Sequence, residues 1–141
     1  MNQYPKREID LDFNVNDIKS KIDNISKASV GSYMIQDKND ILNTYRISAH
    51  SGILFGIMNI TLKKIDDTKT VYITETMPAA GSRVDPTVLS RMQDDFLTIL
   101  SKALSGEEVN KELINKNKSG CFGVIVLLLM SFCFMAFRLA N

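Results

Sequence analysis

The chain has no tryptophan, one histidine, three prolines and two cysteines in 141 residues. Both cysteines, Cys121 and Cys133, fall in the last apolar stretch, so the rest has no thiol for a disulfide, a thiolate nucleophile or a zinc site. This usage fits a reducing compartment. The lone His50 cannot build an imidazole cluster, and its setting, Ala49-His50-Ser51-Gly52, reads as a turn in solvent. An excess of one charge is also lacking. Lys and Arg number 17 against 16 Asp and Glu, so there is no basic footprint and no nucleic-acid partner is expected. The amino end, Met1-Asn2-Gln3-Tyr4-Pro5-Lys6-Arg7-Glu8, is polar and carries no secretory h-region. No internal repeat or low-complexity tract occurs.

One long apolar run is present, from Cys121 to Phe137. At about 1.5 Å per helical residue it reaches about 26 Å, enough for a thin hydrocarbon core. It has no polar stripe, as expected of a segment surrounded by lipid. The expectation is a transmembrane anchor over residues 120–138, with the lipid bilayer as its partner. The alternative is a hydrophobic helix docked on its own domain or in an oligomer. Lys111, Lys116 and Lys118 precede the run and only Arg138 follows it, which places the folded part in the cytoplasm. Cys121, at the bilayer edge, is either a site of acylation or an ordinary small apolar residue. Gly120 and Gly123 are three apart, so no GxxxG pair argues for helix dimerisation.

The expected organisation is a soluble domain over 1–106, a polar linker over 107–119, the anchor, and a short tail over 139–141. Glu8 to Phe13 alternates strictly, with Ile9, Leu11 and Phe13 on one face, and predicts a strand. Ile18, Ile22 and Ile25 recur at helical spacing after a capping Asn14 or Asn16. Four apolar runs follow: Ser32 to Gln36, Ile41 to Ala49, Gly56 to Lys64 and Thr70 to Thr76. Turn residues at Asp37 to Asp40, His50 to Gly52 and Asp66 to Thr68 separate them, which predicts an antiparallel meander. Met58, Ile60 and Leu62 oppose Asn59, Thr61 and Lys63, and Val71 and Ile73 oppose Tyr72 and Thr74. One packed and one more polar face is expected. Asp85-Pro86 opens a helix whose stripe of Leu89, Met92, Phe96, Leu100 and Ala103 covers the packed face, with Gly106 as its stop. The fold class is therefore α+β, an antiparallel sheet of about five strands under a long carboxyl-terminal helix.

The order strand, helix, four strands, long helix over residues 7 to 106 resembles small helix-grip domains of the START-like and polyketide-cyclase-like group, and also a single TATA-binding-protein-like repeat. Element order carries this resemblance, with no residue motif. The helix-grip resemblance implies an apolar ligand between sheet and helix, with Phe13, Tyr33, Tyr45, Met58, Tyr72, Met92 and Phe96 as its lining. The same residues also suit a filled core.

Catalytic patterns are sparse. Glu8, Asp10 and Asp12 alternate as solvated strand carboxylates do, and no metal or cofactor is expected. Gly81, Ser82 and Arg83 precede a helix start and offer an anion site, against the reading of a plain connecting loop. Asp85 would compete with an anion for the free amides. The functional expectation is a non-catalytic interaction module tethered to a membrane. The rivals are a carrier of an apolar or lipid ligand and an enzyme acting on a membrane-associated substrate, for which Arg83, His50 and Glu75 would have to meet.

Overall fold

A computed structural model describes residues 3–117. The expected anchor and tail lie outside the described residues, and among those described no helix is long and apolar enough to cross a membrane. The elements are β1 (Lys6–Leu11), α1 (Val15–Ala28), β2 (Tyr33–Asn39), β3 (Thr44–Ser51), β4 (Leu54–Lys64), β5 (Thr70–Pro78), α2 (Pro86–Leu104) and α3 (Lys111–Lys116). The strands form one antiparallel sheet in the order β1-β5-β4-β3-β2. The α+β class and the five-stranded antiparallel sheet stand as read from the sequence.

Local chemistry sets the boundaries. Asn14 caps α1 by accepting from the Asn16 amide at 2.8 Å, and Ile18, Ile22 and Ile25 are fully buried on its inner face. The chain leaves α1 through positive φ at Val30 and Gly31. Asp85 caps α2 by accepting from the Thr87 amide at 2.7 Å, and Pro86 takes the first helical position.

One turn falls later than its composition indicates. Asp37, Lys38 and Asn39 belong to β2, and the reversal occupies Asp40 to Asn43. The Asn39 side chain accepts from the amides of Ile41 and Leu42 at 3.0 and 2.9 Å, and Asn43 takes φ 52°, so the turn forms where these two asparagines stabilise it. Ile41 and Leu42, read as the start of a strand, are exposed at its tip. His50 likewise lies within β3, paired with Phe55, and is not a free turn residue.

The faces of β5 are reversed from the simplest hydropathy reading. Tyr72, Thr74 and Thr76 register against Leu62, Ile60 and Met58 and point into the core, while Val71 and Ile73 face outward, half-buried. Alternation separates two faces, but cross-strand register decides which one is packed. Helices α1 and α2 pack against each other over the inner face. Within the stretch read as a polar linker, α3 buries Leu113 and Ile114, and Asn117 accepts from Lys102 at 2.7 Å, so the packed unit continues to Asn117.

Candidate functional site

The interior between sheet and α2 holds the expected lining residues. Tyr33, Tyr45, Met58, Tyr72, Met92 and Phe96 belong to one buried cluster, and Phe13 packs against its rim. The Tyr33 ring meets Phe96 edge-on, centroids 5.1 Å apart. At Gly56 an added Cβ would come 2.9 Å from Met92 Sδ and 3.3 Å from Leu89 Cδ2, so the helix touches the sheet backbone there. These side chains fill the space around one another.

Polar atoms are buried in the same layer. Tyr72 Oη, Thr74 Oγ1, Thr76 Oγ1, Gln93 Oε1 and Asp95 Oδ1 are shielded from solvent without a hydrogen-bond partner among the described residues. Gln93 is anchored by its other end, Nε2 donating to Pro5 O at 2.7 Å. Sequence reasoning missed Gln93 and Asp95 as buried groups. Their signal was position, since both lie between Met92 and Leu97, where the helix is packed on more than one side.

A cleft of about 240 Å³ opens where α2 passes the β3–β4 turn, lined by Tyr33, His50, Ser51, Gly52, Met92 and Asp95. Burial pushes the Asp95 carboxyl up from 3.8 to about 7; the Arg91 cation opposes the shift and the Asp94 charge adds to it. Burial, reinforced by Asp95, also raises the Tyr33 hydroxyl above its ordinary value. The His50 ring does not join them. It lies on the opposite face of the sheet, with Nε2 2.9 Å from Ser48 Oγ and the ring edge-on to Phe55. The cleft thus places an acid near neutrality beside a phenol, two groups that can exchange protons with a bound polar molecule, while the His50 imidazole lies on the other face.

The other sequence candidates are dispersed. Gly81 takes φ 80° in a turn closed by the Ser82 amide donating to Ala79 O at 2.9 Å, and Arg83 is exposed. The amide of Thr87 is already taken by the Asp85 carboxylate, whose pKa it holds below the ordinary value. Glu75 is exposed on the outer sheet face. Among the described residues, Arg83, His50 and Glu75 share no hydrogen bond or ion pair, and no three His, Cys, Asp or Glu side chains gather as metal ligands.

The outer face of the sheet is covered by no helix among the described residues. Met34, Ser48, Ile57 and Met77 form one transverse row, with Phe55 next to it on β4. Met34 is 51% and Phe55 41% exposed, and Ile53 at the adjoining hairpin tip is 88% exposed, whereas Ser48 and Ile57 in the middle of the row are buried. No family model matches the chain, and no curated protein matches it in sequence.

Proposed function

We propose that this protein is a tail-anchored membrane protein whose α+β domain faces the cytoplasm and acts as a non-catalytic interaction module. The single observation that carries the module reading is the exposed apolar group of Met34, Phe55 and Ile53 at one end of the outer sheet face, which no helix of the described residues covers. Exposed apolar area of this kind marks contact surfaces. The dispersal of Arg83, His50 and Glu75 supports a role that needs no active site. The anchor rests on the composition of residues 120–138. Tethering concentrates the module near partners at the same membrane. The test is alkaline extraction of membranes carrying the full chain, beside a chain ending at Lys118. The full chain stays in the pellet and the shortened one is released folded; release of both removes the anchor from the account.

A second reading, a carrier, is favoured by the cleft at Asp95 and the buried polar atoms behind it. Such a ligand would be small and partly polar, and native mass spectrometry of the purified chain would show it as extra mass lost on denaturation.

A further inference from the structure

The outer face carries a second, charged row beside its apolar one. Register places Asp37, Arg46, Asn59, Glu75 and Lys6 side by side across β2, β3, β4, β5 and β1. The four charged members are exposed, and none of them takes part in an ion pair among the described residues. Read across the sheet, the signs run minus, plus, neutral, minus, plus, with Asn59 at the centre.

We propose that this face binds a second copy of the same chain, sheet against sheet, about a two-fold axis running along β4. That operation turns the sheet over and exchanges left for right, so each Arg46 meets the partner copy's Glu75 and each Asp37 meets its Lys6. Asn59 meets Asn59 on the axis. The same axis sets Phe55 on Phe55 and brings half-buried Met77 over Ser48, so the exposed Phe55 ring is covered, while Ile57 and Ser48 are already buried within each copy. A two-fold running across the strands through the charged row is disfavoured, because it sets Arg46 on Arg46 and Glu75 on Glu75. The charges therefore select one orientation among those the apolar surface alone would allow. Sheets that pack face to face stand about 10 Å apart with strands within about 30° of each other, a separation these side chains can bridge. Five strands of about six residues present about 500 Å² in projection, close to what the smaller specific interfaces bury on each side. The inference rests on the interaction-module reading and names its partner.

The test uses the full chain in detergent micelles, with Cys121→Ser and Cys133→Ser to remove native thiols and Asn59→Cys to place one on the axis. A short bis-maleimide is expected to link two copies. Arg46→Glu alone and Glu75→Arg alone each place like charges opposite one another and reduce the yield about tenfold. Mixing those two variants restores it, because one copy then presents two acids and the other two arginines. Unchanged circular dichroism melts show that the substitutions leave the fold intact. Absence of cross-linking with the original charges overturns the proposal. So does equal yield in the single variants, which would mean that tails or micelles bring the chains together. Either failure leaves the anchored-module reading standing if the full chain still resists alkaline extraction, and loss of that resistance counts against the reading alone.

Discussion

Gly56 on β4 lies where a Cβ would stand 2.9 Å from the sulfur of Met92 on α2. The side chains of Met92 and Leu89, near the start of α2, therefore fill the space over the Gly56 backbone. Gly56→Ala is expected to destabilise the fold by about 1 kcal/mol, the low end of overpacking costs, because the flexible Met92 end can shift. Urea denaturation measures it. Met92→Ala on the same background should recover part of the loss relative to additivity, and a purely additive pair would contradict the contact.

Asp95 makes stability depend on pH in a defined direction. Its carboxyl titrates near 7 in the fold against 3.8 ordinarily, so the protonated acid is the form the fold prefers. That contribution is complete below about pH 4 and is lost as pH rises through about 7. Asp95→Asn should therefore match the parent at pH 4 and exceed it by about 2 kcal/mol at pH 8, half the full-shift value because the cleft admits water. Thermal melts across this range report the difference. A gap that is constant with pH would contradict the assignment.

The inner face of β5 is polar where a core strand is usually apolar, and Thr76 Oγ1 is buried without a partner among the described residues. Thr76→Val keeps the shape and removes the orphaned hydroxyl, so it is expected to stabilise by about 1 kcal/mol. Calorimetry checks the sign. A loss of stability would mean that a bound molecule or water satisfies the hydroxyl.

These three residues also show what the sequence exposes and what it conceals. Strict alternation in β1 and helical spacing in α1 and α2 arise within single elements, so residues such as Ile9, Ile22 and Phe96 announce their own burial. The inward faces of Thr74 and Thr76 depend on pairing with β4, which no local window contains. The polar stretch around Leu113 and Ile114 looked like a spacer because a one-and-a-half-turn helix shows too little periodicity to distinguish it. The aromatic and methionine residues of the interior were legible as a group, since large apolar side chains on facing elements must meet. Asp95 was hidden by its charge, which composition assigns to solvent. The charged row through Asn59 was likewise invisible before register aligned five strands.

Protease digestion of the full chain in sealed membrane vesicles of known orientation locates the domain directly. With the cytoplasmic face outward, added protease should remove the domain ending near Asn117 and leave a short membrane-bound remnant. With that face inward, the domain should be protected until detergent is added. A domain protected with the cytoplasmic face outward, or a chain that never sediments with the vesicles, would contradict a cytoplasmic module held by its tail.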